Sequence, residues 1–203
     1  MPASLNPTRS SAAESVPSSR YITFALIAIL GTAADLCSKY WVFEWRGMPR
    51  SGNEWWLWEG WIGIETAINS GALFGRGRGY GHLFAAFSVV AAIGIVAWLF
   101  YYRAARDWLL TMALGCVMGG IAGNLYDRLG LWQEPGGSGV WHNEVRDWIL
   151  LRYHEHSWPN FNIADSLLVC GAGLLLWHGF FAKPPAEPGS PPSHAPSASS
   201  HRP

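Results

Sequence analysis

Four near-continuous apolar stretches, at 21–43, 82–102, 108–126 and 163–181, interrupt an otherwise mixed chain. Each approaches or reaches the roughly 20 residues that carry an α-helix across a bilayer. The pattern predicts an all-α polytopic membrane protein with four transmembrane helices, and no internal repeat is visible. The flanks differ in composition. Residues 1–20 are polar and rich in Ser, Pro and Ala, and residues 183–203 are again Pro/Ser/Ala-rich with almost no apolar content. Such segments cannot bury enough surface to offset the entropy of ordering, so both are expected to be disordered tails. The domain division is therefore 1–20 as tail, 21–182 as the four-helix unit and 183–203 as tail.

Four crossings put both termini on one side and leave two loops, about 44–81 and 128–162, on the other. In the first, Trp61-Ile62-Gly63-Ile64-Glu65-Thr66-Ala67-Ile68 alternates in polarity and predicts a short half-buried strand, the mark of a small β-rich region. The second opens on Glu134-Pro135-Gly136-Gly137, contains Val145-Arg146-Asp147-Trp148-Ile149, and is expected to be an interfacial loop resting on the membrane surface. The first span follows Arg20 and holds the small residues Gly31, Thr32, Ala33 and Ala34, as a cleavable signal peptide would. Its apolar character resumes at Tyr40-Trp41-Val42-Phe43, which favours a retained helix.

Composition agrees with a membrane setting. Charged residues are 14% of the chain, against about 25% in soluble domains, and hydrophobic residues are 50%. The zero net charge gives no polybasic surface for nucleic acid. The 13 Trp residues gather near the ends of apolar runs (Trp41, Trp45, Trp55, Trp56, Trp58, Trp61), where an indole suits the membrane–water boundary. Charge does not decide orientation. Arg20, Arg103, Arg106 and Lys183 mark the terminal side as cytoplasmic, but Arg46, Arg50, Arg76, Arg78, Arg146 and Arg152 lie in the opposite loops. Cys37, Cys116 and Cys170 all fall in apolar runs without metal-site spacing, so they read as small buried hydrophobes with no disulfide expected.

An ionisable group near the bilayer centre costs roughly 2.5–3.5 kcal/mol on insertion scales, so each one needs a reason. Asp35 and Lys39 sit one turn apart in the first span, as a neutralising pair or as support for a polar pocket. The third span ends Gly119-Gly120-Ile121-Ala122-Gly123-Asn124-Leu125-Tyr126-Asp127-Arg128. Its small residues admit a close neighbour, and a buried Asn124 demands partners. The fourth begins Asn162-Ile163-Ala164-Asp165, where Asn162 can cap the helix and Asp165 falls in its first turn. Capping accounts for that pair, but not for a second acid, Asp147, in an apolar setting on the same side. Two neighbouring carboxyls that share one proton can activate water and protonate a peptide carbonyl, the chemistry of an aspartic protease. Asp127 is a rival for the first acid, and helix register alone does not separate it from Asp147.

The strings DLCSK (35–39), NSGALFG (69–75), GGIAGNLYDR (119–128), VRDWI (145–149) and FNIADS (161–166) resemble, in order and spacing, those of lipoprotein signal peptidase, also called signal peptidase II. The resemblance spans about residues 21–182. It implies a bacterial inner-membrane protease that removes the signal peptide of diacylglyceryl-modified prolipoproteins before the lipidated Cys. By the same likeness Asp147 and Asp165 are the catalytic aspartates. Asn69, Gly71, Asn124, Arg128, Asn162 and Ala164 line the site, and Asp35 and Lys39 support the pocket, with Asp127 beside them. It further implies cytoplasmic termini, a small extracytoplasmic β-rich region and a site near the periplasmic face, with prolipoproteins and the bilayer as partners and a monomer as the expected state. Leu36 stands where the family often has Gln, and Arg146 and Trp148 replace a more usual Val and Phe. An inward-pointing Arg146 would lower the pKa of Asp147. No cofactor or metal is expected: His154-Glu155-His156 lacks the HExxH arrangement and reads as a solvated loop. Two rivals stay open at this level, an ion carrier using Asp35, Lys39, Asp127 and Asp165 as a relay, and an inactive relative that binds precursors without cutting them.

Overall fold

Segments apolar on every side have no single face to bury, so they form helices whose outer surfaces meet lipid. The computed structural model describes residues 15–71, 79–134 and 143–181. It contains α1 (Ser18–Arg46), β1 (Trp55–Trp58), β2 (Ile62–Asn69), α2 (Gly81–Val96), α3 (Trp108–Arg128), β3 (Val145–Tyr153), β4 (His156–Phe161) and α4 (Ile163–Phe181). All four helices are long and apolar enough to cross a membrane, α2 counted with the π-helical turn Ala97–Tyr101 that continues it. Leu26, Ile29, Leu30, Val90, Ile93 and Phe180 point outward and are more than half exposed, as a lipid-facing surface requires.

Helix α3 is the most buried of the four and packs between α1 and α4. The close approach depends on glycine. A Cβ at Gly120 would stand 2.5 Å from the Ala164 carbonyl oxygen, and one at Gly171 would stand 2.6 Å from Val117 Cγ2. At the terminal end Asp107 caps α3, its Oδ1 accepting the Leu110 N–H at 2.8 Å.

The two loops on the other side join into one sheet. Its strand order is β1-β2-β3-β4, antiparallel throughout, with Ala67 opposite Asp147 and Asn69 opposite Val145. Helix α1 has 29 residues, roughly 44 Å at 1.5 Å per residue, so it outruns the bilayer core and reaches this sheet. There Arg46 donates to the Asn53 carbonyl at 3.1 Å.

Several expectations shift. The second loop is a β-hairpin for much of its length. Val145, Arg146 and Asp147 are all buried, so the strand lacks the polar–apolar alternation that would have marked it. His154 and Glu155 make its turn, with His154 at φ 53°. Helix α1 starts at Ser18, inside the stretch expected to be disordered. Cys37 and Cys170 are exposed on outer helix faces, because lipid takes the place of a protein core around them. Residues 1–14 and 182–203 of the tails, 72–75 of the Asn69–Gly75 motif, Arg76, Arg78 and the turn at 135–137 lie outside the described residues.

Candidate active site

The entry into α4 is built from a reciprocal cap. Asn162 Oδ1 accepts the Asp165 N–H at 2.9 Å, and Asp165 Oδ2 accepts the Asn162 N–H at 3.2 Å, so two N–H groups left over at a helix start are satisfied at once. A third, that of Ala164, donates to Asp35 Oδ1 at 2.9 Å. Asp165 is half-buried at the positive end of the α4 backbone dipole, and its Oδ1 accepts from Asn124 Nδ2 on α3 at 2.9 Å.

Asp147 reaches the same place from the sheet. Asn162 Nδ2 donates to its Oδ1 at 2.6 Å and Asn69 Nδ2 to its Oδ2 at 3.2 Å. The side chain is only 2% exposed. Burial, with the Asp165 charge adding to it, pushes the Asp147 carboxyl from 3.8 up to about 7, against the pull of Asn162, Lys39 and Asn69.

Behind them lies a dry ionic cluster. Lys39 pairs with Asp35 at 2.7 Å and with Asp127 at 3.2 Å, and donates to Asn124 Oδ1 at 3.0 Å. Asp127 Oδ1 also takes two guanidinium N–H groups of Arg146, at 2.7 and 3.2 Å. Lys39, Asp35 and Asp127 are fully buried. Asp127 is thus saturated with cationic donors. The Arg146 guanidinium is spent on Asp127, with Trp132 and Phe43 beside it, so it makes no direct contact that would lower the pKa of Asp147, and its charge bears on that acid only through Asp127.

A groove of about 960 Å³ opens in front of the two acids. Asn69, Asn124, Arg128, Asp147 and Asp165 line it, and Leu168 and Val169 extend it along α4. Arg128 Nη2 donates to the Gly71 carbonyl at 3.1 Å, and its guanidinium lies 4.9 Å from the Phe84 ring centre. Three residues expected to line the site stand behind it instead. Asn162 is buried between the acids, Ala164 is packed into the α3–α4 contact, and Gly71 is buried, its N–H donating to Asn69 Oδ1 at 3.1 Å. Sequence reasoning missed the β4 wall of the groove, Trp158 and Phe161, and the partnership of Arg146 with Asp127. No local signal marked the latter, since residues 145–147 are all buried and the strand that sends 146 and 147 to opposite faces carries no alternation in the sequence. Among the described residues no group of three His, Cys, Asp or Glu side chains could hold a metal ion.

Comparison with known proteins gives a consistent result. The family model described as signal peptidase (SPase) II matches residues 27–181. A lipoprotein signal peptidase of Rhodopirellula baltica is 55% identical over 175 residues, which is 86% of this chain and 78% of that protein. One from Symbiobacterium thermophilum is 34% identical over 155 residues, 75% of this chain and 91% of the other. Two solved structures of bacterial membrane enzymes share the fold. One has a TM-score of 0.66 at 24% identity, covering 78% of this chain and 87% of that one. The second has a TM-score of 0.64 at 24% identity, covering 79% and 94%.

Proposed function

The chain belongs to the signal peptidase II family of membrane aspartic proteases, and from that membership we propose that Asp147 and Asp165 cut the signal peptides of lipid-modified prolipoproteins. The observation that carries the assignment is Asn162, which donates to Asp147 at 2.6 Å and accepts from Asp165 N at 2.9 Å, buried just behind the groove. Asn162 thus holds the Asp147 carboxyl through its side-chain amide and the Asp165 carboxyl through its backbone N–H, and two acids so gathered can share a proton. The ionised member takes a proton from a water in the groove as that water attacks the scissile carbonyl. The protonated member donates to the carbonyl oxygen and then to the leaving amine. Asn124 and Arg128 face the same space and supply donors for the substrate backbone. The apolar wall along α4 suits acyl chains and the hydrophobic part of the signal peptide.

Two further statements belong to this reading. The sheet end of the bundle faces the periplasm, leaving both termini in the cytoplasm, and the protein works as a monomer. Family membership supports the first, as does the gathering of all strands at one end. The ion-carrier alternative calls for charges spread through the membrane depth, whereas Asp35, Lys39, Asp127, Arg146 and Asp165 converge at that end.

The test is cleavage of a diacylglyceryl-modified prolipoprotein by purified protein, with wild type beside Asp147→Asn, Asp165→Asn and Asp127→Asn. Wild type is expected to cut before the lipidated Cys. The first two variants lose activity, while Asp127→Asn still cuts, at a reduced rate, and melts earlier. Activity lost with Asp127→Asn and kept with Asp147→Asn would move the first acid to position 127. A folded wild type that binds the precursor without cutting would leave a binding protein.

A further inference from the structure

The first residues of β3 are held differently from the rest of the strand. On one side they pair with β2, through Asn69–Val145, Ile68–Arg146 and Ala67–Asp147. On the other side β4 pairing begins only at Ile149. Where a fourth strand would be, two side chains take over. Asp127 Oδ2 accepts the Arg146 backbone N–H at 3.0 Å, and Asn162 Nδ2 lies 3.3 Å from the Arg146 carbonyl. The Arg146 side chain then returns to the same carboxylate, with Nη2 at 2.7 Å and Nε at 3.2 Å from Oδ1. One residue therefore grips Asp127 through its backbone and through its side chain, next in sequence to Asp147.

Charge explains why an arginine can sit there. Asp35 and Asp127 are two buried acids, and Lys39 supplies one cation between them. The Arg146 guanidinium, 4.8 Å from the Trp132 ring centre and 5.9 Å from that of Phe43, brings the second. The cluster of four is then neutral, as a dry ionic site requires.

We propose that Arg146 is a positioning residue for Asp147: its hold on Asp127 locks the start of β3 in the register that presents the Asp147 carboxyl to Asn162 and Asn69. The inference rests on the reading of Asp147 as a catalytic acid. The groups that set the charge around Asp147 are Lys39 and Asp35 from α1, Asp127 and Arg128 from α3, and Asp165 from α4, with Asn69 as the neutral donor from β2. Without the guanidinium, Asp127 draws on Lys39 alone and the surroundings of Asp147 become more negative.

Arg146→Met and Arg146→Lys are to be purified in detergent beside wild type, and kcat, KM, the pH profile of cleavage and amide hydrogen exchange of residues 145–147 measured. For a folded Arg146→Met, kcat is expected to fall about tenfold or more with KM within about twofold. The alkaline limb moves to higher pH, and exchange at 145–147 quickens by about an order of magnitude. Arg146→Lys keeps the charge but not the fork, so its pH limb stays in place while kcat is intermediate. A folded Arg146→Met with wild-type kcat, pH profile and exchange overturns the proposal. Should Arg146→Met not fold, Arg146→Lys decides: intermediate kcat supports the role, and wild-type kcat and exchange remove it. A wild type that does not cleave defeats the catalytic reading, while exchange at 145–147 still decides whether Arg146 holds the strand.

Discussion

Asn162 and Asp147 meet through a 2.6 Å hydrogen bond, Nδ2 to Oδ1, that ties the start of α4 to β3. The same Asn162 caps the helix carrying Asp165. The two duties can be separated. Asn162→Ser keeps a capping oxygen but cannot reach Asp147, so its melting temperature should stay near wild type while kcat falls by about 10²-fold. Asn162→Ala should show the same loss of kcat and also lose about 1 kcal/mol of stability with its cap. Thermal melting and steady-state cleavage of the two variants, side by side, check both statements.

The raised pKa of Asp147 predicts two pH effects of definite sign. In the proposed mechanism cleavage needs one proton on the acid pair, so kcat should decline as pH rises through about 7, where Asp147 releases it. Stability follows from the same shift. The folded protein keeps a proton that the unfolded chain gives up near 3.8, so this group's contribution weakens as pH climbs from about 4 to about 7. Asp147→Asn carries no such charge. It should therefore gain on wild type by an amount on the order of 2 kcal/mol more at pH 8 than at pH 5, read from melting curves at the two values.

Removing the ammonium of Lys39 leaves Asp35 and Asp127 buried with one cation fewer. Lys39→Met should destabilise the protein by about 3–5 kcal/mol, the range for breaking a buried ion pair from one side. Chemical denaturation in detergent micelles measures this. The variant should also lose cleavage, because Asn124 loses the donor that fixes its amide beside Asp165.

Gly120→Ala tests the helix contact under the site. The new methyl would meet the Ala164 carbonyl and the Leu168 side chain, and the Ala164 backbone is bonded directly to Asp165. A loss of about 1–3 kcal/mol is expected, with kcat falling alongside it. An unchanged melting temperature would mean that α3 and α4 can part at little cost.

The helices were readable because lipid imposes a minimum length and a composition on anything that crosses it, and the fourth span, 163–181, coincides with its helix. The capping role of Asn162 was readable because it depends on neighbours within one turn. The sheet was only partly so. Trp61–Ile68 alternates and announced β2, but β3 is buried on both faces at its start and carries no alternation. The pairing of Ala67 with Asp147 joins residues far apart in the chain, and local pattern holds no trace of it. For the same reason Arg146 could be recognised as unusual but not matched to Asp127. That match follows from the face of a strand not itself visible in the sequence.

The β2–β3 pairing bears on how the protein is made. Asn69 is synthesised after the first helix, Asp147 after the third, and Asp165 opens the last. A chain still leaving the ribosome with three helices inserted lacks both the second carboxyl and the asparagine that joins it to the first. On the proposed assignment, proteolytic competence therefore arrives only when the final hydrophobic segment has entered the membrane and brought Asn162 and Asp165 up to the sheet.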